Sequence, residues 1–221
     1  MRSYPIRYII LVCLLFCLNA NGQNAVEIIT RISNPQGYEN PSNDFGIAGA
    51  TLEIDLNGVN KDTIDIEYTI DNGAIKVSDF SYTLPKAGTY NISAKAVSKN
   101  SGNEISVSPK TVTVYDGISV TLAGDWVNDA VEKVVWDDVE RSLELFVKND
   151  KSCTVSYSWK VDGQEDQNST NKWTSRQSLT NVLNKEERII CSIEYQAPGG
   201  EVLKQWSQNF IYIIFHKPAE D

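Results

Sequence analysis

From Val26 to Phe215 the chain is a series of short runs in which apolar and polar residues alternate. ATLEIDL, from Ala50, sets Leu52, Ile54 and Leu56 against Thr51, Glu53 and Asp55. IDIEYTI, from Ile64, sets Ile64, Ile66, Tyr68 and Ile70 against Asp65, Glu67 and Thr69, and stops at Asp71-Asn72-Gly73. A period of two is that of a strand with one face buried and the other in water. VEIITRI, residues 26–32, reads as the first such strand and is followed by a loop, NPQGYENPSND, rich in proline and asparagine. In YTLPKAGTYNISAKAVS, from Tyr82, the alternation starts after Gly88 and puts Tyr90, Ile92, Ala94 and Ala96 on one face. ISVSPKTVTVY then returns as a strand in which Pro109 marks an edge or a break, because proline has no amide hydrogen to donate.

The second half follows the same plan. RSLELFVKN directs Leu143, Leu145 and Val147 inward, and CTVSYSWKVDG does so with Cys153, Val155, Tyr157, Trp159 and Val161. A polar insertion, QEDQNSTNKWTSR, separates it from ERIICSIEYQ, whose inward side is Ile189, Cys191, Ile193 and Tyr195. Ala197-Pro198-Gly199-Gly200 turns the chain into EVLKQWSQNFIYIIF. The stretch from Asp129 spaces Val131, Val134, Val135 and Val139 as a helix would, but valine is a poor helix former, and loop plus strand is predicted there. IEYTIDNG and YSWKVDG echo one another: an aromatic, one residue, an aliphatic, then an acidic turn ending in glycine. These patterns predict an all-β chain of two tandem immunoglobulin-like sandwiches, 24–116 and 117–221.

The N-terminus changes the setting. Arg2 and Arg7 precede an apolar stretch from Tyr8 to Leu18, and Ala20-Asn21-Gly22 offers small residues for cleavage. This is the plan of a secretory signal over residues 1–22, with Gln23 as the new N-terminus, and the stretch is too short to span a bilayer. Lipidation at Cys17 is disfavoured because Phe16 stands where a small residue is needed. The expected product is secreted, periplasmic or at the cell surface, with no membrane insertion of the mature chain. A net charge of −9 argues against nucleic acid as a partner, since neutralising phosphate needs a basic surface.

IEYTIDNG, YTLPKAGTY and NISAKAV together resemble the PKD-type branch of immunoglobulin-like domains, with Tyr68, Gly73, Tyr82, Gly88 and Tyr90 in the family's places. Two departures stand out: the family's usual tryptophan is Tyr68, and its Gly-Asp-Gly turn is Asp71-Asn72-Gly73. The resemblance implies an exported sandwich of the bacterial envelope, used for spacing, adhesion or ligand contact. A buried Tyr90 whose hydroxyl meets the backbone fits a corner of such a fold. Removal of the signal leaves Cys153 and Cys191. In such a sheet their strands are neighbours with a shared inward parity, which predicts one disulfide; two separate buried thiols are the alternative.

Catalytic chemistry has little to stand on. The single histidine, His216, is six residues from the C-terminus, and phosphate-loop, CxxC and HExxH patterns are absent from the sequence. The chain is read as a non-enzyme with no cofactor. Asp71-Asn72 and Asp137-Asp138 with Glu140 supply oxygen donors of the kind calcium takes, but at no known loop spacing, so no metal site is assigned. Trp173, in the polar insertion, is the candidate carbohydrate contact, against the alternative that it folds back over its own domain. Phe210–Phe215 (FIYIIF) is apolar on both faces, so one face needs cover, most of all if the run lies at a sheet edge. Either the chain supplies that cover itself, through the first domain or the valines of 131–139, or Ile211, Ile213 and Phe215 meet a partner. That partner is a second copy or a larger envelope protein. The expected function is protein–protein or cell-surface contact; carbohydrate binding through exposed aromatics is the alternative.

Overall fold

A computed structural model describes residues 25–40, 42–71, 81–123, 126, 132–176, 179 and 183–217. The expected signal, Cys17, the Asn72-Gly73 end of the first acidic turn and Val131 lie outside the described residues. The described chain is built of strands and one short 3-10 turn at Lys61–Thr63, as the alternation predicts.

The first half contributes nine strands: β1 (Val26–Ser33), β2 (Phe45–Ile47), β3 (Thr51–Asn57), β4 (Ile64–Ile70), β5 (Ser81–Thr83), β6 (Gly88–Ser98), β7 (Glu104–Ile105), β8 (Val107–Ser108) and β9 (Lys110–Tyr115). One sheet has the order β5-β3-β1-β8 and another β2-β9-β6-β4, with β7 also on β6. Pro109 sits between β8 and β9, where the chain leaves one sheet for the other. The break expected at this proline is therefore a change of sheet, at a residue that cannot continue a ladder.

The second half contributes β10 (Ser119–Leu122), β11 (Glu132–Trp136), β12 (Arg141–Lys148), β13 (Thr154–Val161), β14 (Gln164–Asp166), β15 (Lys172–Ser175), β16 (Asn184–Gln196) and β17 (Val202–Phe215). They form a three-stranded sheet, β10-β12-β15, and a five-stranded one, β11-β17-β16-β13-β14. The chain is thus an all-β protein of tandem sandwich type. The valine-rich segment is a strand, running parallel to β17 with Val134 opposite Ile213 and Trp136 opposite Phe215. The polar insertion carries β14 and β15.

By compactness the described residues divide into two units, 25–29, 55–71 and 91–110 in one, and 30–54, 81–90 and 111–217 in the other. The expected join at 116 and 117 lies inside the second unit.

Within the first unit Tyr68 is buried on β4, and Asp71 follows at a positive φ of 51°. Asp71 holds Asn91 of β6 by two hydrogen bonds, its N–H donating to Asn91 O at 2.9 Å while its Oδ1 accepts the Asn91 N–H at 2.9 Å. In the second unit Trp159 is buried on β13, and Asp162 follows at φ 49°. Its N–H donates to Arg188 O at 2.8 Å and its Oδ1 accepts the Arg188 N–H at 2.9 Å. Aspartate tolerates the left-handed region because its short side chain bonds locally to the backbone. The echo between IEYTIDNG and YSWKVDG is therefore one device used twice.

The stretch around Gly88 is a corner. Gly88 holds φ +148°, and Tyr90, buried, donates its hydroxyl to Lys86 O at 2.8 Å. That bond satisfies the phenol while the ring goes inward, as a tyrosine corner requires.

The core of the second unit is aromatic. Trp126 meets Tyr212 edge-on at 5.1 Å and Phe210 at 5.3 Å, and Trp173 lies 6.3 Å from Tyr212. Tyr212 donates its hydroxyl to Ser142 O at 2.9 Å, and Trp159 donates its indole N–H to Thr170 O at 2.9 Å. Through this core runs an ion pair. Arg141 starts β12 and Glu187 lies on β16, both at inward parity and only 1% and 3% exposed, with Nε 3.1 Å from Oε2. Arg141 also donates from an Nη to Ser175 Oγ at 3.1 Å.

Candidate functional site

The five-stranded sheet buries one face and presents the other. On β17, Phe210, Tyr212 and Ile214 are buried in the core, so Ile211, Ile213 and Phe215 point outward. Ile211 and Ile213 are half-buried between neighbouring strands, and Phe215 is 37% exposed. β11 adds Val134, 60% exposed, and Trp136, 50% exposed, to the same face. Trp136 and Phe215 meet edge-on at 6.5 Å. The two strands together make an apolar ridge. β17 is not an edge strand: it lies between β11 and β16, and the edge is β11. Val134 does not cover the ridge but extends it, while Val135 turns inward against the core. A β17 that is apolar on both sides follows from two different demands, one row filling the core and the other forming an outward surface.

Along the same face the chemistry changes. Beyond the ridge come charged residues paired with their own neighbours: Arg188 with Glu186 at 2.7 Å and Lys160 with Glu165 at 2.7 Å. Further on, two rows of small and polar side chains cross three strands, Ser156–Glu194–Gln205 and Ser158–Ser192–Ser207. Because serine barely rises above the backbone, the sheet is left with a depression of about 440 Å³ there. Two pairs of its polar groups are bonded to one another: the Ser192 and Ser207 hydroxyls lie 3.1 Å apart, and Gln205 donates to the Glu194 carboxylate at 3.3 Å.

Two sequence-derived site assignments fail. Trp173, the candidate carbohydrate contact, is 2% exposed, and its indole N–H points to Asp166 Oδ2 at 3.3 Å. On β15 it pairs with Leu143 and faces the core, so no sugar can stack on it. The expected disulfide is also absent, and Cys153 and Cys191 are separate buried thiols. β13 and β16 are neighbours, as expected, but Cys191 pairs with Trp159, six residues along β13 from Cys153. Six strand residues span about 20 Å, well beyond the roughly 7 Å limit between Cα atoms that a bridge tolerates. Burial pushes the Cys191 thiol up to about 12 and raises that of Cys153. In a chain beginning at Gln23, thiol reagent is therefore expected to find no reactive group in the native state and both cysteines after unreduced denaturation. Silence in the denatured state would restore the bridge.

Asp137, a calcium donor by residue type, has its oxygens engaged. Oδ2 accepts the Leu179 N–H at 2.9 Å and lies 2.9 Å from His216 Nδ1, and Oδ1 accepts the Lys217 N–H at 3.1 Å. The His216 contact, followed by the two backbone N–H groups, lowers its pKa to about 2. His216 is thus a pin for the end of β17. Among the described residues no group of histidine, cysteine and carboxylate side chains is arranged to hold a metal, and no helix is long and apolar enough to cross a membrane.

No family model matches the chain, and no curated protein matches it. Among solved structures it is similar to the fibronectin(III)-like modules of CbhA from Clostridium thermocellum, at 15% identity and a TM-score of 0.35, over 84% of this chain and 94% of that one. It is similar to extracellular domains 3–5 of Drosophila OTK, at 12% identity and a TM-score of 0.43, over 77% of this chain and 57% of that one. A three-immunoglobulin-domain fragment of titin is similar at 13% identity and a TM-score of 0.38, over 78% and 62%. The chain spans less than two thirds of the length of the last two. At these scores the assignment as a β-sandwich protein rests on the chain's own strand pairing.

Proposed function

We propose that this chain is an exported, non-catalytic module of two tandem sandwiches, 24–116 and 117–221, behind a signal at 1–22. Its second sandwich contacts another protein at the bacterial surface or in the periplasm, without a cofactor. The PKD-type resemblance supports the exported setting, and the tyrosine corner at Tyr90 is in keeping with it. One observation carries the reading: Val134, Trp136 and Phe215 stand exposed beside Ile211 and Ile213 in a single ridge. Scattered surface hydrophobics need no explanation, but a contiguous ridge with polar surroundings marks a contact surface. Charge supports the same face, since the neighbouring lysine and arginine are already paired with glutamates and offer no basic track for nucleic acid.

Chemical cross-linking of the purified protein, alone and with envelope extract, tests this. Wild type is expected to form a cross-linked species that Val134→Lys and Trp136→Lys lose while keeping the wild-type melting temperature. Both positions are exposed, so neither change empties the core. Identical cross-linking patterns for wild type and both variants would end the reading.

A further inference from the structure

The outward face of the five-stranded sheet carries a projection at one end and a hollow at the other. The ridge centres near Ile213 and Val134, and the depression lies across Ser192 and Ser207. From the hollow to the ridge along β17, Ser207 to Ile213, is about six residues, or roughly 20 Å at strand rise. We propose that the occupant of this face is a second copy of the chain, packed face to face about a two-fold axis. Each ridge then enters the other's depression. The inference rests on the contact-surface reading above and names its partner.

Three features of the face suit a self-complementary contact. A two-fold interface uses one patch twice, so a patch must hold both a shape and its complement. Here the complement is chemical as well. The ridge brings two aromatic rings and one donor, the indole N–H of Trp136. The depression brings flat backbone, serine hydroxyls and the Glu194 carboxylate as acceptors. The Ser192 and Ser207 hydroxyls and the Glu194 carboxylate already have protein partners, so covering them leaves none of these groups without one.

Charge is the second feature. Two chains of net charge −9 repel one another, and a shared face must therefore be locally quiet. The belt between ridge and hollow is quieted in part, because Lys160 pairs with Glu165 and Arg188 with Glu186 within each copy. That leaves Glu132 beside Ile211 and Glu194 in the hollow as like charges on the face. What remains is repulsion of like charges, on the face and at longer range, which salt screens beyond about 8 Å at physiological strength. Raising salt should therefore tighten this association, whereas a contact made by opposite charges would weaken.

Area is the third. The outward residues of β17 from Gln205 to Phe215 run about 33 Å. With β11 beside the ridge half and β13 beyond β16 at the hollow half, the face is about three strands, roughly 14 Å, wide, a plane of roughly 460 Å². Corrugated by side chains, that plane belongs with the small, transient interfaces that bury less than about 1,200 Å² over both partners.

Sedimentation velocity over a concentration series, at low and high salt, reads the dimer directly. Wild type is expected to dimerise, more tightly at high salt. Trp136→Lys, which removes the ridge tip, and Ser207→Arg, which fills the hollow, should each weaken the dimer at least about tenfold. Mixing the two variants restores one of the two contacts and should recover part of the association. A sharper reading comes from mixing Trp136→Cys chains with Ser207→Cys chains, which should form an interchain disulfide. Trp136→Cys alone should not cross-link to itself. A wild type that is monomeric throughout, a dimer indifferent to Ser207→Arg, or cross-linking of Trp136→Cys to itself would overturn the proposal. A monomer whose Trp136→Lys variant loses cross-linking to an envelope protein would overturn the second copy alone and leave the contact-surface reading standing.

Discussion

Arg141→Ala is expected to destabilise the protein by about 3–5 kcal/mol, the cost of leaving a buried charge without its partner. The guanidinium is buried with Glu187, Nε to Oε2 at 3.1 Å, and Lys185 stands 3.8 Å from the other carboxylate oxygen. Lys185 is partly exposed and its longer contact cannot replace a guanidinium inside the core. The Arg141 side chain also bonds Ser175 Oγ, so its loss loosens the start of β15's pairing with β12. The double variant Arg141→Met, Glu187→Leu should recover most of that loss, because desolvating two charges offsets much of what their attraction contributes. Urea unfolding with fitted slopes measures both. A single variant that costs less than about 1 kcal/mol, the scale of an exposed pair, would show that the pair is effectively solvated.

Trp159→Ala should cost a similar amount, about 3–5 kcal/mol, by a different route. Its ring is fully buried, and its indole N–H supplies the Thr170 carbonyl at 2.9 Å. Removing it opens a cavity in a core whose neighbouring aromatics are held by ring contacts and by the Tyr212–Ser142 hydrogen bond, which limits collapse into the space. Trp159→Phe keeps much of the apolar volume but leaves the carbonyl without its donor, and should lose less. Cys191 pairs with Trp159 across the two strands and reports on the same spot. Thermal or urea unfolding of the two variants, alongside the rate at which Cys191 meets thiol reagent, decides it. Equal stability of wild type and Trp159→Ala would show that the core repacks freely there.

Both predictions rest on parity, and parity is legible in the sequence. Alternation alone places Trp159, Ile189, Cys191, Ile193 and Tyr195 inward, and all five are buried. The same count puts Arg141 in step with Leu143 and Leu145, and Glu187 in step with Ile189. A charge at inward parity on each of two strands is the signal of the buried pair. It stays silent in one sequence, because nothing there says that the two strands face each other. Trp173 misleads for the converse reason. Its neighbours are polar, yet a single tryptophan on a short strand is enough to fill a core when Leu143 pairs with it and Tyr212 lies behind it.

Period-two alternation, the break at Pro109, the corner at Tyr90 and the repeated acidic turns at Asp71 and Asp162 are set by local chemistry. Each depends on residues a few positions apart, and so the sequence alone determined an all-β chain with a given inward face on most strands. Register and neighbourhood depend on residues far apart. Cys153 and Cys191 share a parity in either register, and only the pairing of Trp159 with Cys191 separates them. The ridge is half visible in the sequence, since an outward Ile211, Ile213 and Phe215 can be counted from it. That β11 lies parallel beside them, adding Val134 and Trp136 in place of a cover, was decided by tertiary structure. Alternation assigns a side chain to a face, and only long-range pairing assigns that face its neighbours.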